Sequence, residues 1–594
     1  MYRSPVSEIG FTLKHVAEFD RVAEAYGGDE LSDDLVEAIL EEAGRFAAEE
    51  IAPLNPVADK HGTPLNDGAV TTPPGWKEAY HAWAEGGWNG LTASPDFGGQ
   101  GLPTMLWVAT YEMWNSASMA FAIGPTLTAG ALEALTAHAS EDLQATYMEK
   151  LVTGEWMATM NLTEPQAGSD LAALRSRAER NDDGTYSIFG QKIFITYGEH
   201  DLTDNIVHLV LARLPDAPAG TRGISLFLVP KFLVNEDGSL GERNDVVCAS
   251  VEHKLGIHGS PTCTMVFGDK GGAKGWIVGQ ENKGLACMFT MMNNARLAVG
   301  VQGLGVAEAA LQRAVAYALD RRQGKASTWT GEGMAPIAEH PDIRRNLMTM
   351  RALTAVARAL CYRCAAAIDM AHQCEGDDKK RWSERAALLT PVAKAMPTDI
   401  GVDVASLGVQ VHGGMGYVEE TGAAQLLRDA RIAPIYEGTN GIQSIDLVMR
   451  KLPLSEGNEV RGFIEELRAI VKEAGAQNAD GFADMAAKVT SALDDLSAAT
   501  DWLLEAIKDG RNDEALAGAT PYLRLFGLAS GGAFLVQGAL ATVRGDMTTP
   551  ADKLRVQVAL YFAENLISET AALRSTVTQG AATLLAADAA YMEG

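Results

Sequence analysis

The sequence predicts a mostly helical α+β protein in which one β-rich segment interrupts a helical chain. The first quarter repeats apolar residues at helical spacing, the next segment alternates apolar and polar residues between turns, and the remainder returns to the helical pattern. A chain of 594 residues is long enough for roughly four domains. We therefore expect an N-terminal helical domain, a middle β domain, a C-terminal helical bundle and an additional helical domain, over residues 1–155, 156–278, 279–452 and 453–594 respectively.

The charge balance of the chain is strongly acidic. It holds 49 Lys and Arg against 77 Asp and Glu, a formal net charge of −28, which disfavours binding to nucleic acid or to an anionic membrane. No apolar run reaches membrane-spanning length, and the start, MYRSPVSEIGF, lacks the apolar core of a signal peptide. We therefore expect a cytoplasmic protein that binds neither nucleic acid nor membrane.

Local signals predict the first long helix and the first hairpin. Ser32 or Asp33 can cap a helix that follows it, and Pro53 marks the end of that helix. In RSRAERNDDGTYSIFGQKIFITY an Asp-Gly pair separates two alternating segments, which predicts a β-hairpin. HLVLARL, GISLFLVP and TCTMVFGD predict further strands of the same β-rich domain.

Two long segments predict buried helices. GLACMFTMMNNARLAVGVQGLGVAEAALQRAVAYALDRRQ has a helical pattern interrupted by glycines, and PYLRLFGLASGGAFLVQGALATV is alanine-rich. Cys361 and Cys364 form C-x-x-C inside another helical segment, and we interpret them as two thiols on one helix face because no second ligand pair accompanies them. His412 also lacks an acidic or cysteine neighbour at metal-binding spacing, so we expect a packed or loop histidine and no metal site.

Three motifs are candidates for a ligand site. MNLTEPQAGSDL (residues 160–171) passes from a strand into a turn whose backbone N–H groups can approach a ligand, although its spacing alone favours an ordinary turn. QKIFITYG (residues 191–198) has the pattern of a half-buried strand. QVHGGMGY (residues 410–417) places three glycines in a turn, a density that often admits a ligand. No Rossmann or Walker fingerprint accompanies them.

The segment APIYEGTNGIQSIDLVMR (residues 433–450) holds a carboxylate, Glu437, between an aromatic residue and a glycine. Thr439 or Asn440 can cap a helix just after it. Apolar burial would raise the pKa of Glu437 and the helix dipole would lower it, so the residue can serve as a base. It can equally be an acid that only complements the dipole, and the residues alone leave both interpretations open.

Taken together, these segments resemble the acyl-CoA dehydrogenase family. The motifs that carry the resemblance are TEPQAGSD, FITYG, YALDRRQGK, and QVHGGMGY with the following LLRDARIAPIYEGTN. The resemblance covers roughly residues 30–452 and implies a helical N-terminal domain, a middle β domain and a helical bundle. The extra helical tail is similar to that of extended bacterial members, among them the 3-methylmercaptopropionyl-CoA dehydrogenases.

The resemblance implies FAD, held non-covalently between the β domain and the helical bundle. Arg321 matches an arginine that reaches the FAD of a neighbouring subunit. Phe194 stands where many members have tryptophan, and Gly441 stands where some have glutamine. The positions that match FAD contacts of the family are Met160, Leu162, Thr163, Gly168, Ser169, Phe194, Thr196, Arg321, Gln410, Gly414 and Thr439.

The resemblance also implies how substrate is held. Glu437 takes the place of the catalytic base, and Asn293 stands where other members have aspartate. The positions that match contacts to the CoA thioester are Ser169, Asn293, Arg296, Tyr436 and Gly438.

The implied reaction is α,β-dehydrogenation of an acyl-CoA thioester to the trans-2-enoyl-CoA. Glu437 removes the α proton, and the β carbon passes a hydride to the flavin. The backbone N–H of Glu437 and a ribityl hydroxyl of FAD stabilise the charge on the thioester oxygen. Electrons then pass to an electron-transfer flavoprotein. The substrate is expected to be 3-(methylthio)propanoyl-CoA, with a fatty acyl-CoA of general β-oxidation or a flavin oxidase reaction as alternatives. A homodimer is expected, because the added domain can cover the face that shorter members use to form tetramers.

Overall fold

The computed structural model describes residues 2–28, 31–588 and 591, and it leaves the side chain of Asn293 outside that description. The chain divides into two compact units, which we call the helical unit and the β unit. The helical unit comprises Met1–Gly44, Thr104–Ser116 and Arg296–Gly594, and the β unit comprises Arg45–Pro103 and Ala117–Ala295.

Helices dominate the described residues. The α-helices are α1 Val6–Phe11, α2 Phe19–Ala25, α3 Asp33–Phe46, α4 Asn55–His61, α5 Trp76–Glu85, α6 Thr104–His138, α7 Glu141–Val152, α8 Gly284–Asp320, α9 Pro341–Gln373, α10 Gly376–His412, α11 Ala423–Ala430, α12 Asn440–Asp446, α13 Asn458–Gly475, α14 Phe482–Lys508, α15 Asn512–Ala517, α16 Ala519–Arg544, α17 Pro550–Asn565, α18 Glu569–Gln579 and α19 Ala581–Ala586. The predicted cap of α3 is Ser32, whose Oγ accepts a hydrogen bond from the N–H of Leu35 at 3.3 Å.

Among the described residues, the strands all lie in the β unit. They are β1 Leu65–Asn66, β2 Ala69–Val70, β3 Met157–Asn161, β4 Arg177–Arg180, β5 Tyr186–Thr196, β6 Ile206–Arg213, β7 Ile224–Pro230, β8 Phe232–Val234, β9 Leu240–Arg243, β10 Val246–Val251, β11 Thr262–Phe267 and β12 Ala273–Val278. The main sheet has the order β10-β11-β5-β12-β7-β6-β3, and β4 pairs with β5 and β6.

The predicted Asp-Gly hairpin is confirmed by the pairing of β4 with β5. These strands are antiparallel, with Arg177 opposite Phe189 and Arg180 opposite Tyr186. The other predicted strands are also present, since HLVLARL, GISLFLVP and TCTMVFGD fall in β6, β7 and β11. Apolar side chains of β6 and β7 are buried along their length, so the sheet is packed on both faces there.

The predicted interruption of α8 by glycines is wrong, because α8 is one continuous helix. Its glycines instead permit a close helix crossing within the helical unit. A Cβ on Gly300 would lie 1.8 Å from the carbonyl oxygen of Ala393, and a Cβ on Gly303 would lie 2.4 Å from that of Pro397. Only residues without a Cβ allow α10 to approach α8 this closely.

The alanine-rich tail is helical as predicted. Its long helix α16 packs against α13, α14, α17 and α18, and also against α9. The rings of Phe463 and Phe526 stack at 5.6 Å between α13 and α16. The boundaries of the four expected domains stay predictions.

Two helices are long and apolar enough to cross a membrane, judged by length and composition. They are α6 and α16, and most residues of their apolar windows are buried inside the protein.

Candidate active site

The base loop, which we define as residues 433–440, is a strained turn between α11 and α12. Glu437 has φ of 54° and Gly438 has φ of 82°, so two consecutive residues adopt the left-handed conformation. A glutamate in this region is uncommon and costs free energy, and such strain is concentrated at functional sites. The N–H of Asn440 donates to the carbonyl of Pro434 at 3.0 Å and closes the turn. Thr439 caps α12 by accepting from the N–H of Ile442 at 3.2 Å, which confirms one of the two predicted caps.

The electrostatic setting of Glu437 favours a base. Burial raises the pKa of Glu437, while the positive charges of Lys394 and Arg296 act to lower it. The burial effect is the larger one, so the carboxylate holds a proton more tightly than an exposed glutamate. The sequence predicts two opposing effects on the pKa of Glu437, and burial, which raises it, is the larger. The lowering effect comes from the charges of Lys394 and Arg296.

A buried lysine that the sequence analysis missed lies beneath the base loop. Lys394, on α10, is fully buried, and its Nζ donates to the carbonyl of Ala433 at 3.0 Å and to Oδ1 of Asn440 at 2.9 Å. The signal in the sequence was a single lysine inside an apolar helical segment, LLTPVAKAMP. A lysine buried this completely requires polar partners, so it points to a specific local structure.

Other side chains also fix the loop. Gln443 donates from Nε2 to the carbonyls of Glu437 and Gly438 at 3.3 and 3.2 Å. The hydroxyl of Tyr436 donates to Oε1 of Gln302, whose Nε2 donates to the Tyr111 hydroxyl at 3.1 Å. The Tyr436 hydroxyl is thus engaged by the protein, which leaves the ring for the predicted contact to substrate.

Arg296 interacts electrostatically with Glu437 within the helical unit. Its Nη1 is 3.6 Å from Oδ2 of Asp446, and its buried Nε has no hydrogen-bond partner in the described part of the chain. Burial lowers the pKa of Arg296, against the raising effects of Asp446 and Glu437. An unpaired buried donor of this kind suits a polar ligand group. Asn293, the other predicted thioester contact on α8, has a side chain outside the described residues.

In the β unit, the flavin loop, which we define as residues 160–169, lies beside the end of β5. The N–H of Ile193 donates to the carbonyl of Thr163 at 2.9 Å. The pairing register of β5 with β11 shifts between Lys192 and Ile195, which marks a β-bulge at Phe194. Phe194 has φ of 60° and its side chain is 58% exposed. A bulge re-aims a side chain, and here it presents an aromatic ring outward, a feature that the half-buried strand pattern did not predict.

The flavin loop is held by a buried ion pair. Nζ of Lys192 lies 2.8 Å from Oε1 of Glu164 and also donates to the carbonyl of Leu162 at 3.1 Å. Glu164 accepts further hydrogen bonds from the N–H groups of Arg175 and Ser176. Although burial acts to raise it, Lys192 and these hydrogen bonds hold the pKa of Glu164 down at about 2.

The remaining predicted FAD positions differ in burial and in the space around them. A Cβ at Gly168 or Gly414 would meet no atom within 4 Å, so both glycines border open space. Met160 is buried in β3, Thr196 is half-buried at the end of β5, and Ser169, Gln410 and Arg321 are exposed. Within the β unit, the outward ring of Phe194 and the open space at Gly168 are features that suit a flavin ring. Within the helical unit, the open space at Gly414 and the exposed Gln410 and Arg321 are features that suit a nucleotide.

The histidine and cysteine candidates are packing residues. His412 is buried, its Nδ1 lies 2.7 Å from the carbonyl of Gly408, and its ring stacks on Tyr317 at 4.4 Å, so the predicted packed histidine is confirmed. Cys361 and Cys364 are buried in α9. Among the described residues no group of three or more His, Cys, Asp and Glu side chains could hold a metal ion.

Comparison with known proteins accounts for nearly the whole chain. Models of the acyl-CoA dehydrogenase N-terminal, middle and C-terminal domains match residues 33–155, 159–270 and 282–452, and a model of the acetyl-CoA dehydrogenase C-terminal-like domain matches residues 460–588. The chain is 44% identical to a 3-methylmercaptopropionyl-CoA dehydrogenase of Ruegeria pomeroyi over 99% of each chain. It is 33% identical to a broad-specificity linear acyl-CoA dehydrogenase of Mycobacterium tuberculosis over 97% of each.

A solved structure shows the same fold. An acyl-CoA dehydrogenase of Bacillus anthracis, complexed with FAD, superimposes with a TM-score of 0.75 at 22% identity, covering 95% of this chain and 91% of that one. The chain belongs to the acyl-CoA dehydrogenase family, whose members are FAD-dependent oxidoreductases of acyl-CoA thioesters. The expected fold class, family, enzyme class and cofactor are thereby confirmed.

Proposed function

We propose that Glu437 is the catalytic base of an α,β-dehydrogenation of an acyl-CoA thioester. The observation that carries this proposal is a strained, half-buried carboxylate whose pKa is raised by burial while two cations face it. A structural acid at a helix N-terminus would need neither the left-handed backbone nor the apolar setting.

Different residues of the base loop are proposed to carry out different parts of the proton removal. Glu437 accepts the α proton, and the strained turn at Gly438 exposes backbone to the thioester. The N–H of Glu437 has no acceptor in the part of the chain that the structure describes, so it is available to the thioester oxygen on which charge develops. FAD, when bound, supplies the acceptor for the hydride that leaves the β carbon. Phe194, Thr196 and the flavin loop are proposed to hold and orient it.

Replacement of Glu437 by glutamine tests the base. Glu437→Gln keeps the shape of the side chain and removes the proton acceptor, so flavin reduction by acyl-CoA should fall by at least about 10³-fold with FAD and acyl-CoA binding retained. Glu437→Asp should lose less, because it keeps a carboxylate at shorter reach. Glu564→Gln on the exposed face of α17 is the control and should match the wild type. Anaerobic flavin absorbance after mixing is the measurement, and wild-type bleaching by Glu437→Gln would make Glu437 a structural acid.

The proposed substrate is 3-(methylthio)propanoyl-CoA, which gives the trans-2-enoyl-CoA. The relative from Ruegeria pomeroyi supports this choice, because the similarity extends over 99% of both chains, including the tail. Pentanoyl-CoA is the matched comparison, since it differs by one methylene in place of the sulfur. We expect a higher kcat/KM for the sulfur substrate than for pentanoyl-, octanoyl- or palmitoyl-CoA, and a preference for a longer chain would reject it.

Two alternatives have their own tests. The similarity to a broad-specificity linear acyl-CoA dehydrogenase supports general fatty acyl-CoA oxidation, which would give comparable kcat/KM across the straight-chain members of that panel. A flavin oxidase would consume oxygen with substrate and no added acceptor. We propose instead that an electron-transfer flavoprotein takes the electrons in the cytoplasm, and reduction of purified electron-transfer flavoprotein measures this step.

We propose a homodimer in which Arg321 reaches the FAD of the partner subunit. Arg321 is exposed just after α8, and no side-chain partner is found for it among the described residues, so its planar guanidinium is free to bind a nucleotide. Arg321→Ala should lose FAD during gel filtration, whereas Arg322→Ala, beside it, should retain FAD. Light scattering checks the mass of two chains, and a stable tetramer would reject the dimer.

A further inference from the structure

Lys394 joins the two ends of the base loop. Its Nζ donates to the carbonyl of Ala433, where the loop begins, and to Oδ1 of Asn440, where α12 begins. The amide nitrogen of Asn440 continues the connection to α10 by donating to Oδ1 of Asp399 at 2.7 Å and to Oγ1 of Thr398 at 3.0 Å. One buried ammonium group therefore fixes the span of the turn that carries Glu437.

The backbone of Lys394 is itself fixed by the crossing of α8 and α10. A Cβ on Gly300 would lie 3.4 Å from the Cα of Lys394 and 1.8 Å from the carbonyl oxygen of Ala393. The same crossing brings Gly303 against Gly401, whose own Cβ would lie 2.7 Å from the Gly303 carbonyl oxygen. Lys394 thus extends toward the base loop from a backbone that has little room to move.

The charged groups around the loop come from three helices. From α10, Lys394 and Asp399 face it; from α8, Arg296 does; and from α12 and the turn after it, Asp446 and Arg450 lie next to Arg296. Burial lowers the pKa of Lys394 to about 7, against the raising effects of Glu437 and Asp399. Lys394 acts to lower the pKa of Glu437, although its Nζ donates to Ala433 and Asn440 and not to that carboxylate.

We propose that Lys394 is a positioning residue for the base, which sets both the place of Glu437 and its proton affinity. This inference rests on the proposed function, since it concerns the same carboxylate. Two hydrogen bonds hold the turn in its strained form. The positive charge keeps Glu437 ionised over a wider pH range, and because Lys394 makes no ion pair with it, the carboxylate remains free to accept a proton from substrate.

Three variants separate the hydrogen bonds from the charge. Lys394→Met removes both, and Lys394→Gln removes the charge and keeps a donor. Asn440→Ala removes the acceptor of Lys394 together with the amide donors to Thr398 and Asp399, and it keeps the charge. Leu493→Ala, in the buried face of α14, is the control for general loss of stability. Two quantities are measured on the FAD-loaded enzyme: the pH dependence of kcat/KM, and amide hydrogen exchange of peptides that contain residues 433–440.

The direction of each effect follows from the charges. Without Lys394 the pKa of Glu437 rises, so Glu437 stays protonated to higher pH, and the acidic limb of kcat/KM moves up by about one pH unit in both Lys394 variants. Exchange in residues 433–440 rises in Lys394→Met and in Asn440→Ala, and rises less in Lys394→Gln. Asn440→Ala leaves the acidic limb in place. Leu493→Ala lowers the melting temperature, and it changes neither the acidic limb of kcat/KM nor the amide hydrogen exchange of residues 433–440.

The Glu437→Gln variant keeps this test distinct from that of the base. Suppose that Glu437→Gln abolishes flavin reduction, while the acidic limb of the kcat/KM profile is the same in both Lys394 variants as in the wild type. Lys394 then only fills space, and this inference is overturned while the base assignment stands. If loop exchange is unchanged in Lys394→Met, the positioning role is overturned as well. If Glu437→Gln reduces flavin at the wild-type rate, the base assignment and this inference fall together.

Discussion

Two buried lysines support the two candidate loops of this protein, and they do so in different ways. Lys192 in the β unit and Lys394 in the helical unit are both 0% exposed. Lys192 forms a direct ion pair with Glu164 of the flavin loop, whereas Lys394 donates to a carbonyl and an amide oxygen of the base loop.

The difference decides what each carboxylate can do. With Lys192 in direct contact, the pKa of Glu164 is held at about 2, so this carboxylate stays ionised and would be a poor base. Glu437 has only the more distant influence of Lys394 and Arg296, and its pKa is raised by burial. A direct ion pair therefore keeps Glu164 ionised, while the neutral acceptors under residues 433–440 let a cation stabilise the turn without pairing directly with Glu437.

The largest expected effect comes from breaking the ion pair of the flavin loop. Lys192→Met leaves Glu164 buried without its cation, which should lower the free energy of unfolding by about 3–5 kcal/mol and weaken FAD retention. Glu164→Gln combined with Lys192→Met removes both charges and should recover most of that loss. Urea unfolding measures Lys192→Met, Glu164→Gln and the double variant. A double variant as unstable as the sum of the two single ones would show that the charges act independently.

A smaller effect is expected at the helix crossing that supports Lys394. Gly300→Ala places a Cβ against the Ala393 carbonyl, where α10 must shift, and should cost about 1–3 kcal/mol of unfolding free energy. Gly462→Ala is the matched control, because it also lies in a helix but has no atom within 4 Å of the added Cβ. That variant should be neutral or stabilising by up to about 1 kcal/mol. Equal melting temperatures of the two variants would contradict the close crossing.

The two loops also show what the sequence could and could not predict. The glycine-flanked Glu437, the cap at Thr439 and the hairpin before Phe194 were predictable, because each depends on residues that are neighbours in the chain. The fold class and the FAD cofactor followed from the resemblance carried by four motifs.

Features that depend on distant residues were not predictable. Lys394 is 43 positions from Glu437 in the sequence, and its role depends on a crossing of α8 and α10 that no local pattern specifies. The sequence predicts interruptions at the glycines of α8, because it shows that a glycine is present and not which backbone passes beside it. The bulge at Phe194 also needs the register of β11, which the alternation of β5 alone does not contain.

The smallest expected effect distinguishes the base loop from an ordinary helix start. Thr439 and Thr549 both cap a helix through a side-chain oxygen, Thr439 at α12 and Thr549 in a capping box at α17. Replacing either by alanine should cost about 1 kcal/mol of unfolding free energy. Thr439→Ala should also slow flavin reduction, because the capped end of α12 is where the strained turn of Glu437 is anchored, whereas Thr549→Ala should leave that rate unchanged. Urea unfolding and anaerobic flavin bleaching measure the pair, and equal bleaching rates would show that the base loop keeps its geometry without its cap, leaving Lys394 and Gln443 to hold it.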